Sequence, residues 1–286
     1  MGPLDIVVRL ILGCFIGSGI GLTGVGGGVL VLPSLAMLGL PTVACIGTAS
    51  AYSVLTMGYA LVEHIRLKTI DYRAVLLFLA SAAPATTLTA VLVKAQAQNA
   101  GFQHGLSGFI IGIIALSGVL MIINLLHKRK QVTQIAAATA DPETETETPP
   151  AASAPRGLAR ALIGVVLGVV VGGIMAASSV SGGVIVIPIL IFAFHLPISR
   201  TAGSSIFIII ALMALAALIY HFVPAGSGGK SQVAVGTAAW MAVGSIAGVS
   251  IGSRLTTRLS DQALQGAIIA MITLALLGMT WKTVAG

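Results

Sequence analysis

An all-α, polytopic transmembrane protein of two inverted-topology repeats with glycine-broken helical hairpins is what the sequence predicts, and three observations predict it. Of 286 residues, 57% are hydrophobic and only 8% charged. Apolar runs of the length that crosses a bilayer, about 20 residues, recur along the chain. A heptapeptide of the first half returns almost unchanged in the second. Soluble domains carry roughly 25% charged residues, so this composition suits lipid and not water.

The apolar segments of the first half fall at 4–22, 29–40, 43–63, 72–93 and 104–126. Those of the second fall at 158–176, 184–195, 202–221, 233–253 and 262–281. The second segment of each half has only a dozen residues, about 18 Å as helix. That is too short for about 30 Å of hydrocarbon. The first two segments of each half are therefore expected to form a glycine-broken hairpin or a short broken pair. Each such pair counts as an even number of crossings.

Between the halves the composition changes. Residues 131–155 are rich in Ala, Thr, Glu and Pro and hold half of the acidic residues: Asp141, Glu143, Glu145 and Glu147. Such a stretch cannot bury enough apolar surface to offset its ordering entropy. It reads as a flexible linker joining an N-terminal repeat, 1–130, to a C-terminal repeat, 156–286. Lys128, Arg129, Lys130, Arg156 and Arg160 flank it and place it in the cytoplasm. The loop with Arg66, Lys68 and Arg73 and the loop with Arg254 and Arg258 then fall inside, while the loops near Lys94 and Lys230 fall outside. The cation-rich loop comes first in one half and second in the other, as inverted repeats require. Both termini are then outside. The formal net charge of +7 thus serves topology, and no basic stripe interleaved with aromatics points to nucleic acid. The N-terminus lacks the basic start, short apolar core and cleavage site of a signal peptide.

The repeat itself is explicit. Residues 27–33 read GGVLVLP and 182–188 read GGVIVIP. Downstream, Leu40-Pro41 matches Leu196-Pro197, and Gly47-Thr48-Ala49 matches Gly203-Ser204-Ser205. Order and spacing agree to within one residue, which marks an internal duplication.

The candidate site lies in the breaks. Thr23-Gly24-Val25-Gly26-Gly27-Gly28 interrupts one hydrophobic run and Ser178-Ser179-Val180-Ser181-Gly182-Gly183 interrupts the other. Unwound backbone survives in lipid only inside protein or beside a water-filled cavity. A helix starting after each break aims free N–H groups and a positive dipole end into it, which suits an anion. Glycine admits close backbone approach, and Ser or Thr hydroxyls add donors. Small residues also serve helix packing, but duplication ahead of a short arm and a proline favours a site. Thr48, Ser50 and Ser53, with Ser204 and Ser205, are candidates to complete a polar pocket, although a back-bond within the helix is the commoner role of a single hydroxyl. His64, His221 and Arg200 are candidate gating or proton-relay groups. Gly244, Gly248 and Gly252 form a small-residue ridge assigned to packing. No Asp, Glu or Lys falls in the middle of an apolar segment, and Arg9 is the one internal arginine. Cation carriers usually keep a carboxylate there, so an anion is the expected substrate. No catalytic residue, metal or cofactor is expected.

The two halves, each with a glycine-rich break, V-[LI]-V-[LI]-P, a following Leu-Pro and a G-[TS]-[AS] segment start, resemble the TauE/SafE sulfite exporter family. The resemblance spans nearly the whole chain except the linker. It implies a multi-pass transporter of the bacterial cytoplasmic (inner) membrane that moves sulfite, thiosulfate or an organosulfonate. Ser179 and Ser181 depart from the glycines of the first half, Gly24 and Gly26, so the two halves of the site are chemically unequal. Two alternatives stand beside a carrier: a passive anion channel on the same fold, and an intramembrane thiol enzyme using Cys14 and Cys45. The second lacks any C-x-x-C pair, and buried free thiols are the plainer reading.

Overall fold

A computed structural model describes residues 3–23, 28–116, 157–180, 183–192, 198–223 and 231–256, with isolated positions 194, 196, 270, 273, 277 and 280. All regular structure among them is helical. The first half contributes α1 (Pro3–Thr23), α2 (Gly28–Met37), α3 (Thr42–Arg66), α4 (Tyr72–Ala95) and α5 (Ala100–Leu116). The second contributes α6 (Gly157–Ser178), α7 (Gly183–Phe192), α8 (Ile198–Phe222) and α9 (Val235–Thr256). The linker 131–155 and the breaks at Gly24, Gly26, Gly27, Ser181 and Gly182 lie outside the described residues.

Local chemistry sets several boundaries. The carboxylate of Asp71, on extended backbone, accepts from the N–H groups of Arg73 and Ala74 and so starts α4. Asn99 does the same for α5 by accepting from Phe102 N at 3.2 Å, which begins that helix earlier than the apolar run suggested. Gly39, at φ +83, donates to Ala36 O at 3.0 Å and ends α2 at Met37, three residues early. That left-handed turn suits glycine. Helices α2 and α7 have ten residues each, about 15 Å, half of what a crossing needs.

Among the described residues, three helices are long and apolar enough to cross a membrane: Tyr72–Ala95, Arg200–Phe222 and Val235–Gly252. A bent fourth, Thr42–Gly58 with Ala60–Arg66, qualifies if it counts as one span. Their outward faces are apolar. Leu76, Leu77, Leu88 and Leu92 of α4 are each more than half exposed, a surface matched to hydrocarbon and not to water.

The halves interlock by exchange. The first helix of each half packs on the fourth of the other, α1 on α9 and α6 on α4. Contact is backbone to backbone. A Cβ on Gly244, Gly248 or Gly252 would strike the carbonyls of Leu10, Cys14 and Ser18 in turn. On the other seam, a Cβ on Gly172 would strike the Ala82 carbonyl, and Thr86 Oγ1 donates to Gly172 O at 3.0 Å. Lipid tails supply no hydrophobic drive between helices, so close approach through small residues supplies it by dispersion. The third helices, α3 and α8, pack centrally on each other. Gly47, near the start of α3, touches Tyr220 near the end of α8, and Gly203, near the start of α8, touches Thr69 just beyond α3. The two therefore run antiparallel.

Candidate functional site

The G-[TS] steps tie the halves together. Gly47 lets the loop before α9 approach, for a Cβ there would come within 2.6 Å of Gln232 O. Gly203 does the same for the loop before α4, a Cβ there lying 2.6 Å from Thr69 Oγ1. The neighbouring hydroxyls then work across the halves. Thr48 Oγ1 accepts from Ala234 N at 3.0 Å, and Ser204 Oγ accepts from Asp71 N at 2.9 Å. Each satisfies a backbone donor at the start of a fourth helix, where no intrahelical acceptor exists. Both hydroxyls are buried.

Two hydroxyls from opposite halves meet beside the second break. Ser179 follows the last residue of α6 and sits at φ +46, a left-handed conformation in which its N–H still reaches Met175 O at 2.8 Å. Its Oγ donates to Ile46 O at 2.7 Å and lies 2.6 Å from Ser50 Oγ. Ser50 Oγ reaches the same carbonyl at 2.9 Å. Ser50 and Ser179 are fully buried. The end of α6 is held from the side as well, by Tyr220, whose hydroxyl donates to Ala176 O at 3.0 Å.

The remaining predicted residues are placed as follows. Ser178 Oγ donates to Ile174 O at 2.7 Å and Ser205 Oγ to Ala202 O at 2.9 Å, ordinary back-bonds to the previous turn. Thr23 ends α1, and Gly28 and Gly183 open the short helices α2 and α7. His64 Nδ1 pairs with Thr69 Oγ1 and His221 Nδ1 with Ser231 Oγ, each at 2.8 Å. These pairs sit at opposite ends of the bundle. The structural counterpart of His64 is Tyr220 and not His221, since the loop amides of Thr69 and Gln232 donate to the carbonyls of His64 and Tyr220. Arg200 lies 3.9 Å from Asp71 at the end where α4 begins. Cys14 and Cys45 lie on different helices and are not joined in a disulfide, and Cys45 Sγ donates to Leu40 O at 3.5 Å.

Lys94, which the sequence marks only as the neighbour of an outside loop, is buried in the last turn of α4. Its Nζ donates to Ile219 O at 3.2 Å and Tyr220 O at 2.7 Å. A lysine at the end of a long apolar run is the signal for such a cap on a neighbouring helix, but nothing in sequence names the neighbour.

The model of the family described as "Sulfite exporter TauE/SafE" matches residues 9–279. The chain is 27% identical over 271 residues to "Probable membrane transporter protein YjnA" of Bacillus subtilis, covering 92% of this chain and 95% of that protein. It is 26% identical over 268 residues to "Probable membrane transporter protein YunE" of the same organism, covering 89% and 91%. No solved structure matches it.

Proposed function

This chain belongs to the TauE/SafE sulfite exporter family, and on that premise we propose that it is a secondary transporter for a small sulfur-containing anion. It is an integral membrane protein, and its substrate is sulfite, thiosulfate or an organosulfonate bound between the two glycine- and serine-rich breaks. The observation that carries the reading is the buried contact of Ser179 with Ser50 and Ile46. It sets the break of one half against the central helix of the other, with hydroxyl donors inside the bundle. Residues 23–28 and 178–183 supply the backbone donors in this reading, while Thr48 and Ser204 hold the starts of α9 and α4 at opposite ends of the bundle. The antiparallel course of α3 and α8 supports two inverted repeats, in which each half opens to one side in turn.

The test is flux in proteoliposomes. Sulfite or thiosulfate uptake should saturate and should rise when the vesicles are preloaded with the same anion. Choline and sodium should neither be carried nor required as the transported species. Flux that stays linear with concentration and ignores preloading would make the protein a channel. Transport of an inorganic cation with no anion dependence would end the anion reading.

A further inference from the structure

The Nε and Nη1 atoms of Arg9 are buried and have no hydrogen-bond partner. A buried cationic donor without an acceptor is costly, and an intramembrane arginine normally pairs or lines an ion pathway. Arg9 also points the wrong way for a lipid-facing anchor. The outward stripe of α1 is Leu4, Val8, Ile11 and Phe15, all exposed. Arg9 instead shares its line with Gly13, which packs on α9, and Ile16, which is wholly buried.

Its position along the bundle follows from the α1–α9 seam. The Met241 carbonyl abuts Gly13 and the Leu10 carbonyl abuts Gly244, so Arg9 lies roughly level with the second turn of α9. Helix side chains lean toward the N-terminus, which here means toward the end where α9 begins and Thr48 receives the Ala234 amide. The opposite end of the bundle is built differently. Gly13 and Gly17 correspond to Gly168 and Gly172 on the paired seam, which makes Gly164 the counterpart of Arg9. A Cβ on Gly164 would meet the ring of Phe194 at 2.9 Å. An inward guanidinium thus stands near one end of the bundle, and glycine against an aromatic ring near the other.

We infer that Arg9 is an oxyanion-binding residue at the mouth where α9 begins, recruiting the transported anion there and not at the opposite mouth. Guanidinium groups hydrogen-bond sulfur and phosphorus oxyanions through several N–H donors at once. The inference rests on the anion-transport reading above. The same chemistry would also hold the phosphate of a lipid headgroup, but the inward direction of the side chain favours a free anion.

The experiment measures sulfite flux from each side of proteoliposomes carrying wild type, Arg9→Gln or Arg9→Lys. Orientation is fixed by impermeant labelling at Gln98→Cys, in the loop after α4 on the Arg9 side. Arg9→Gln should raise the KM for sulfite roughly tenfold from that side and leave the KM from the other side unchanged. Arg9→Lys should recover part of the loss. The melting temperature without ligand should not fall in Arg9→Gln, because the variant removes a charge whose Nε and Nη1 are buried without an acceptor. Unchanged KM from the Arg9 side, or equal changes from both sides, would overturn the assignment. So would native mass spectrometry showing a phospholipid that wild type retains and Arg9→Gln loses. If wild type carries no sulfite, the transport reading fails instead. Binding of sulfate to purified wild type but not to Arg9→Gln would then still uphold the oxyanion site, and equal binding would refute it.

Discussion

The hydroxyl oxygens of Ser50 and Ser179, 129 positions apart in sequence, lie 2.6 Å from each other and share one acceptor, the carbonyl of Ile46. Two hydroxyl protons serve three short contacts, so one contact is always without a proton. The Ile46 carbonyl, inside α3, also accepts from the amide four residues on and has two lone pairs. It therefore takes one hydroxyl, and the other hydroxyl donates to its neighbour. Either serine can stand first in this chain. An anion at the break that takes one proton leaves the other serine bonded to Ile46, and no carbonyl is stranded.

Ser179→Ala and Ser50→Ala should each weaken sulfite binding about fivefold to tenfold, the effect of one hydroxyl donor, with little change in melting temperature. The double variant should lose less than the sum, because the pair acts as a unit. Calorimetric titration of the three variants gives the coupling. Full additivity would mean that the serines do not share a ligand.

Gly248→Val should be poorly tolerated for a different reason. Its side chain would be driven into the Cys14 carbonyl and the Ser18 amide, both backbone and unable to move aside. A loss of about 1–3 kcal/mol or more follows from such overpacking, read as a lower melting temperature. Gly58→Ala, with nothing near its Cβ, should have no such effect. Equal stability of the two variants would refute the α1–α9 seam.

Much of the fold was legible because its signals are local. The duplicated V-[LI]-V-[LI]-P arms, the short second segments and the Gly244, Gly248, Gly252 ridge each depend on residues close in sequence. The partner of each ridge was not legible, since any small-residue face fits several others, and the exchange of α1 onto α9 is set by the whole bundle. The candidate site divides in the same way. Thr48 and Ser204 stood out as a repeated pair, but their bonds to Ala234 and Asp71 cross the halves. Ser179 stood out as a departure from glycine, while its left-handed backbone does not follow from its side chain. Lys94 escaped because a lysine ending an apolar run looks the same whether it snorkels or caps a neighbour.

Lys94→Met should destabilise the protein by about 2–3 kcal/mol, the contribution of hydrogen bonds from a charged donor. The methionine keeps the volume and the apolar contacts but cannot reach Ile219 O and Tyr220 O. These carbonyls end α8, where a cation is also favoured by the helix dipole. Thermal unfolding in lipid–detergent bicelles would show it. A melting temperature at or above that of wild type would mean that lysine burial costs as much as its bonds return.

Topology is open to a direct check with impermeant thiol reagents on a background without Cys14 and Cys45. A cysteine at the exposed Gln98, past the end of α4, should react from outside the cell. One at Thr144, within the linker, should react only after the membrane is opened. Labelling of Thr144→Cys in intact cells would reverse the charge-based orientation and move the Arg9 mouth to the cytoplasmic side.

The breaks themselves are tested by Gly27→Val and Gly183→Val. Each should abolish transport while leaving the protein in the membrane. Gly183 opens α7, directly after the break that begins at Ser179. A β-branched side chain at this point would fill the space between the first amides of the short helix and an anion held there. It would also restrict the backbone of the break, which glycine leaves free. One lost contact between an N–H and an anion costs about 1.5–3 kcal/mol, roughly a tenfold to hundredfold fall in affinity. A valine in a packing seam acts otherwise, lowering stability while the folded fraction binds normally, as expected for Gly248→Val. Anion affinity and melting temperature measured together on the three variants separate the two roles. If Gly27→Val and Gly183→Val lose stability and the folded fraction binds sulfite as wild type does, the glycines are packing residues and the anion binds elsewhere in the bundle.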